Sequence, residues 1–359
     1  MLARIEQSSR HGLGTLGGMG PVEALERIAY LLETSRAETY KVRAFRNAAH
    51  VIRGVEPKEL ERLSHAGRLS SLAGVGDTTA KVVAEALLGE EPTYLTQLLS
   101  EVPPVSGGKA GELRKKLRGD CHGHSDWSDG GSPIRTMAEA ARDIGHEYWS
   151  LTDHSARLTV AHGLDADRLR SQLEEVAKLN EELAPFRILT GIEVDILEDG
   201  TLDQDEDLLA RLDVVVASVH SKLRMESAQM TRRMVAAIEN PNTDILGHCT
   251  GRIVVGRGRP ESTFDHNAVI DACARTGTAV EINSRPERLD PPQTILRIAV
   301  EEGCMIAIDT DAHAPGQLEW QRNGCELAVE AEVPLERIVN SWSADELLEW
   351  TASHGPRER

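Results

Sequence analysis

Several of the chain's thirteen histidines stand beside carboxylates at the ends of short apolar runs. His122-Gly-His124 is followed by Asp129 in a Ser-Asp-Gly turn. Further runs end Leu151-Thr-Asp-His154, Gly191-Ile-Glu193, Ala217-Ser-Val-His220, Leu246-Gly-His248 and Asp309-Thr-Asp311-Ala-His313. Neutral imidazole with carboxylate is a donor set for zinc, manganese or iron rather than calcium or magnesium. Residues two apart on a strand share a face, so His122 and His124, or Asp311 and His313, can reach one ion together. Each alone has a plain reading: His248 as a hydrogen-bonded strand-end residue, Asp311 as a helix cap. Six histidines and three carboxylates at the ends of six such runs form a joint pattern that separate structural roles do not explain. His11, His50, His65, His146, His162, His266 and His354 fall outside it.

The elements that must carry these residues follow from periodicity. Apolar runs near 120–124, 147–153, 187–194, 213–219, 244–248, 279–283 and 304–310 read as seven strands. Amphipathic stretches over 133–144, 165–184, 227–239, 265–276 and 292–302 read as helices between them. Strand–helix alternation implies parallel βα units, closed into a barrel or open as a doubly wound sheet. Barrel enzymes place chemistry at C-terminal strand ends, where these residues fall. Every strand except the sixth ends in a candidate ligand. No GxGxxG follows the first strand, which argues against a dinucleotide site.

The N-terminal part has another texture. Helical periodicity begins at Pro21, a second helix runs from about Tyr40 to Ile52, and a short third lies near Pro57 to His65. Leu72-Ala-Gly-Val-Gly-Asp77 then opens a helix to Leu88. Gly74, Val75 and Gly76 make a tight turn with backbone N–H groups exposed at a helix start, an anion site suited to a DNA phosphate. Lys41, Arg43, Arg46 and Lys81 add positive charge. The plain alternative is a helix–turn–helix connection with solvated charges. Domain boundaries are expected at 1–20 (a flexible tail), 21–102 (the helical DNA-binding-like domain), 103–119 (a linker), 120–343 (the barrel) and 344–359 (a C-terminal helix and tail).

With these residues in view, 120–343 resembles a polymerase-and-histidinol-phosphatase (PHP) domain, and most of all that of bacterial family-X DNA polymerases. The resemblance rests on Asp120-Cys-His-Gly-His-Ser125, Ser128-Asp-Gly130, Leu151-Thr-Asp-His154, Gly191-Ile-Glu-Val-Asp-Ile196, Ala217-Ser-Val-His-Ser221, Gly247-His-Cys-Thr-Gly-Arg252, Glu281-Ile-Asn283, Arg288-Leu-Asp290 and Asp309-Thr-Asp-Ala-His313. It implies an α/β fold, a distorted (β/α)7 PHP barrel preceded by a small all-α helix-hairpin-helix domain. It implies three divalent ions (Mn²⁺, Zn²⁺ or Fe²⁺): one on His122, His124, Glu193 and Asp311, one on Glu193, His220 and His248, one on Asp129, His154 and His313. Glu193, Asp311, His313 and His124 are the residues on which catalysis is expected to depend, and Arg252 and Arg288, with Arg257 and Arg285, are candidate phosphate contacts. The helical domain resembles the same polymerases' N-terminal domain through Tyr40-Lys-Val-Arg-Ala-Phe-Arg-Asn-Ala-Ala49 and Leu72–Asp77. Between the two domains there is no room for a polymerase palm. The family's lyase lysine falls on Val82, and Lys81 beside it points about 100° away on a helix, which argues against lyase activity.

Composition bounds the reading. Aromatic residues are 3%, too few for a repeated base-stacking platform, and no apolar run approaches a membrane span. Five cysteines without CxxC spacing read as reduced thiols of a cytoplasmic protein. The net charge of −18 is uneven: residues 1–119 carry 17 Lys and Arg against 14 Asp and Glu, whereas 120–359 carry 23 against 44. A barrel near −21 repels nucleic acid unless cations change its local field, whereas the helical domain, at +3, does not. The expected function is a metal-dependent phosphoesterase acting at DNA 3′ ends, a 3′–5′ exonuclease or end-processing enzyme of DNA repair, with DNA as partner and no polymerase activity. The alternative is a small-molecule phosphatase of the histidinol-phosphatase type.

Overall fold

The computed structural model describes residues 19–101 and 107–355. Most of the tail expected over 1–20, part of the expected linker and the last four residues lie outside them. The chain divides into two compact units, Met1–Val105 and Ser106–Arg359.

The first unit is all helical: α1 (Pro21–Thr34), α2 (Thr39–Arg53), α3 (Pro57–His65), α4 (Asp77–Leu87) and α5 (Thr93–Glu101). Proline opens α1 and α3, where its missing N–H costs no helical bond. Leu25, Ile28 and Leu32 of α1 pack with Phe45, Ala49 and Ile52 of α2, Val82 and Val83 of α4 and Leu95 of α5. The turn before α4 is built as its glycines require. Gly74 has φ +93°, and Gly76 precedes the helix with its N–H on Thr79 Oγ1 at 3.0 Å. Val75 between them is buried and anchors the turn.

In the second unit seven parallel strands run in sequence order: β1 (Gly119–Gly123), β2 (Tyr148–Leu151), β3 (Arg187–Asp195), β4 (Val214–Ser218), β5 (Ile245–Leu246), β6 (Ala279–Asn283) and β7 (Ile306–Asp309). Side chains alternate as the pleat demands. Leu189, Val214, Val216, Ile245, Ala279 and Ala307 form one interior cluster, while Ile192, Val215, Ala217, Val280 and Ile308 pack with the helices outside. In β1 the register shifts between Asp120 and Gly123. This irregularity lets Cys121 join the interior cluster while its neighbour His122 still reaches Glu193.

The ring is nearly closed: at its mouth the Asp311 N–H bonds the His122 carbonyl (3.0 Å) and the His124 N–H the Ala312 carbonyl (2.8 Å), and below them side chains complete it. Between β1 and β7 the Asp309 carboxylate accepts the Cys121 N–H (2.8 Å) and Asp120 accepts the Thr310 N–H (3.2 Å) and its hydroxyl. Asn340 accepts the Ile308 N–H (2.6 Å) and donates to Asp309 (2.8 Å), and Gln321 donates to the Gly119 and Ile308 carbonyls (2.9 Å each). Strand groups without a ladder partner are thus paired by buried polar side chains.

The helices that follow are α6 (Lys109–Arg114), α7 (Ile134–Asp143), α8 (Ala166–Leu183), α9 (Glu206–Leu209), α10 (Ser227–Ile238), α11 (His266–Thr276), α12 (Gln293–Glu301), α13 (Gln321–Glu330) and α14 (Ala344–Ala352). The segment 103–119, expected as a linker, holds α6, which packs on α13, and Leu117 is buried in the barrel's outer core. No helix among the described residues is long and apolar enough to cross a membrane.

Candidate metal centre

The ends of six strands bring His122, His124, Asp129, His154, Glu193, His220, His248, Asp311 and His313 to one mouth of the barrel. Glu193, fully buried on β3, is the common neighbour. Its Oε2 lies 3.4 Å from His122 Nε2, 3.6 Å from His124 Nε2 and 2.8 Å from His154 Nδ1. Its Oε1 lies 3.2 Å from His220 Nε2 and 2.9 Å from His248 Nε2. Asp311 Oδ1 is 3.5 Å from His124 Nε2. At the outer side Asp129 Oδ1 is 3.2 Å from His313 Nε2 and 3.5 Å from His154 Nε2. Three sets have ligand atoms close enough to share an ion: His124, Asp129, His154 and His313; His122, His124 and Glu193; and His154, Glu193 and His220. Asp311 turns its backbone to φ +52° at the end of β7, a left-handed conformation that Asp tolerates better than most residues.

A second layer fixes the imidazoles, and sequence reasoning assigned it no role. His122 Nδ1 meets Glu281 Oε1 at 2.5 Å, and Glu281 Oε2 accepts the His248 N–H. His220 Nδ1 meets Asp195 Oδ1 at 3.2 Å, and His313 Nδ1 the Asp311 carbonyl at 2.9 Å. With the Nδ1 atoms of His122 and His220 donating to these carboxylates, each of their Nε2 atoms presents a lone pair; His313 Nδ1 also meets the Arg285 guanidinium at 3.0 Å. β6, which offered no ligand, thus supplies the brace: Glu281, with Asn283 donating to both Glu281 and Asp311 (3.2 Å each). The signal was present, an acid inside the otherwise apolar 279–282 run.

This arrangement fits bound cations. His122 Nε2, both nitrogens of His124, His220 Nε2 and Glu193 Oε2 are buried without a hydrogen-bond partner among the described residues. Buried polar atoms are normally paired. Imidazole lone pairs aimed at carboxylate oxygens at 3.2–3.6 Å repel one another unless a proton or a cation lies between them. The electrostatics agree. Burial opposes charge on Glu193, yet His220, His122 and His154 outweigh it and hold its pKa well below the usual range. Burial also opposes charge on Asp311, and Arg285, His124, His122 and Arg288 outweigh it. His220 is desolvated too, but Glu193 and Asp195 raise it to about 9. His124 goes the other way, well below its ordinary value, through burial and the nearby His313 and His154.

The arginines divide. Arg288 Nε is 3.2 Å from Asp311 Oδ2, and Arg285 Nη1 is 3.3 Å from Asp311 Oδ1. Arg252 turns inward to the Arg288 and Leu289 carbonyls and to Glu261, so it braces a loop. In the helical unit Lys41, Arg43, Gly74, Gly76 and Lys81 are exposed. Arg46, expected among the free cations, forks onto Glu33 at 3.0 and 2.8 Å. Val82, at the lyase position, is buried.

Comparison with known proteins places these features. Residues 20–91 match the helix-hairpin-helix domain model and 120–285 the PHP domain model, leaving no room between them for a polymerase core. The DNA polymerase/3′-5′ exonuclease PolX of Bacillus subtilis is 41% identical over 228 residues, 64% of this chain and 40% of that protein. A probable phosphatase of Thermoanaerobacter sp. (strain X514) is 32% identical over 211 residues, 55% of this chain and 80% of that one. The crystal structure of histidinol phosphate phosphatase from Lactococcus lactis, complexed with zinc, L-histidinol and phosphate, aligns with a TM-score of 0.44 at 18% identity, covering 61% of this chain and 95% of that one. The PHP match and the phosphatase relatives, with histidines and carboxylates gathered at the mouth of the barrel, give the class as a phosphoesterase, a hydrolase of ester bonds. The chain belongs to the PHP family, as a member with a helix-hairpin-helix unit ahead of the barrel and no polymerase core between them.

Proposed function

We propose that this protein hydrolyses phosphoester bonds at DNA 3′ ends, with the helix-hairpin-helix unit holding the phosphate backbone and the barrel cutting. The observation that carries the reading is one chain joining the Glu193-centred cluster to the Gly74–Gly76 turn. His122, His124, Glu193 and Asp311, then His220 and His248, then Asp129, His154 and His313 would hold up to three divalent ions. Such ions supply Lewis acidity and lower the pKa of bound water toward neutrality. The chain's own residues do the positioning. Glu281 and Asp195 keep His122 and His220 in the tautomer that presents Nε2. Asn283 ties Glu281 to Asp311, and Arg285 and Arg288 bring positive charge to the rim where a substrate phosphate enters. A phosphatase acting on a small phosphomonoester is the second reading, favoured by the likeness to the probable phosphatase of Thermoanaerobacter.

The test is incubation with 3′-labelled single-stranded DNA, and separately with p-nitrophenyl phosphate, with Mn²⁺ and with chelator. Mn²⁺-dependent release of the 3′ label supports the reading. Turnover of the ester alone would favour the small-molecule phosphatase, and turnover undiminished by exhaustive chelation would defeat the metal assignment.

A further inference from the structure

Within the barrel unit, the large apolar side chains left exposed among the described residues are Val160 (85%) and Val254 (51%). Both lie on segments leaving C-terminal strand ends, the first after β2 and His154, the second after β5 and His248. Each segment also carries an exposed arginine, Arg157 or Arg257, the first lining a shallow hollow with Leu197, Glu198, Asp199 and Ser221. The rest of each segment is firmly built. Ile253 and Arg259 pair antiparallel, exchanging N–H to carbonyl bonds of 3.0 and 2.8 Å. Gly256 and Gly258 turn the tip at φ +62° and +63°, and a Cβ on Gly258 would meet the Ile253 carbonyl at 2.8 Å. Arg252 and Arg259 tie the base to backbone carbonyls, and the Val254 N–H bonds the Glu287 carbonyl at 2.7 Å. Across the mouth, Ser155 bridges Leu164, and Arg168 holds the Gly163 carbonyl at 3.0 Å.

Charge distinguishes the hairpin. Residues 251–260 contain three arginines and no acid, in a barrel that is otherwise strongly acidic. A small monophosphate is met by the metal centre with Arg285 and Arg288 beside it. It offers neither a second phosphate to a distant arginine nor an apolar face to an exposed valine. A nucleic-acid strand offers both, repeated along its length. We infer that the two rim segments form a clamp for an unpaired nucleic-acid strand, with Arg157 and Arg257 taking phosphates on either side of the one hydrolysed and Val160 and Val254 meeting base faces. This rests on the DNA reading of the barrel and adds a strand-holding surface separate from the helical unit.

The test uses the full Mn²⁺-loaded chain with two double variants, Arg257→Ala with Val254→Ser and Arg157→Ala with Val160→Ser. The ratio of kcat/KM for a 3′-labelled single strand to that for p-nitrophenyl phosphate should fall about fivefold in each, the scale of one exposed charge pair together with one apolar side chain. Arg257→Lys should restore most of the hairpin's share, because a phosphate accepts either cation. Anisotropy of a fluorescent strand in chelator gives a second readout: the slope of log affinity against log salt should shrink by about 0.7 for each phosphate no longer neutralised. An unchanged ratio and slope, with the wild type still cutting the strand, would overturn the clamp and leave the DNA reading standing. Equal losses on both substrates would reduce the segments to structural supports and also overturn it. A wild type that hydrolyses the ester but not the strand would overturn both.

Discussion

Glu193 is the residue on which the site turns, because five imidazoles meet its two oxygens. Glu193→Gln removes the charge that offsets a cation and one of two equivalent acceptors. The expected outcome is at least about 100-fold loss of turnover together with loss of bound metal, measured by elemental analysis, while circular dichroism stays unchanged. Full metal content with near-normal turnover would show that no ion depends on it. Glu281→Gln tests the second layer. His122 would lose its carboxylate partner, and metal affinity should fall about 10- to 100-fold without loss of a ligand. An unchanged affinity by metal titration would mean that the brace is dispensable. His146, away from the cluster, gives a pH signature. Burial, reinforced by the Arg114 charge, pushes its pKa well below the ordinary 6.5, and Gln321 is its side-chain partner at 3.1 Å. The folded state keeps it neutral while the unfolded chain protonates it below 6.5, so its contribution is complete above that pH and is lost as pH falls. The slope is about 1.4 kcal/mol per pH unit. Urea midpoints in chelator should therefore fall less steeply on acidification in His146→Leu than in the wild type; equal slopes would refute the assignment.

At the scale of elements, the seam between β1 and β7 is where the barrel's closure depends on side chains. Asn340 bonds both Ile308 and Asp309 there, and Asn340→Ala leaves the Ile308 N–H and one Asp309 interaction unmet in a buried place. A loss of about 2–4 kcal/mol in barrel stability is expected by denaturant titration, and a loss below about 0.5 kcal/mol would mean that water or rearrangement closes the seam. The seam was not legible in the sequence, because nothing local marks Asp120, Asp309, Gln321 and Asn340 as neighbours across some two hundred residues. The strands were legible. Residues 214–217 and 306–308 are continuous apolar runs, as buried parallel strands must be, and each hands the chain to a candidate ligand. Thr93–Glu101 lies beyond the last helix that periodicity marked in this unit, and Lys109–Arg114 escaped because it follows Pro, Gly and Ser. Tyr40–Ala49 displayed its cations plainly, but not that Glu33, on the preceding helix, would take Arg46.

For the whole molecule, separate cores imply separable tasks. The helical unit buries its apolar residues among its own helices, and the barrel does the same. Removing residues 1–105 should leave p-nitrophenyl phosphate turnover within about twofold, raise the KM for duplex-ended DNA and flatten its salt dependence by roughly 0.9 for each phosphate that the helical unit had neutralised. An unchanged KM and slope would remove the helical unit from the DNA reading. The placement of ligands along the chain also has a consequence in time. His124 leaves the ribosome early, whereas Asp311, 3.5 Å from it in the finished barrel, comes nearly two hundred residues later. The cluster therefore does not exist until the seventh strand has been made and has found the first. A polypeptide cut short just before Asp311 carries five of the cluster's six histidines but never the assembled centre, so a cell translating this message meets hydrolytic power only from chains synthesised past the seventh strand.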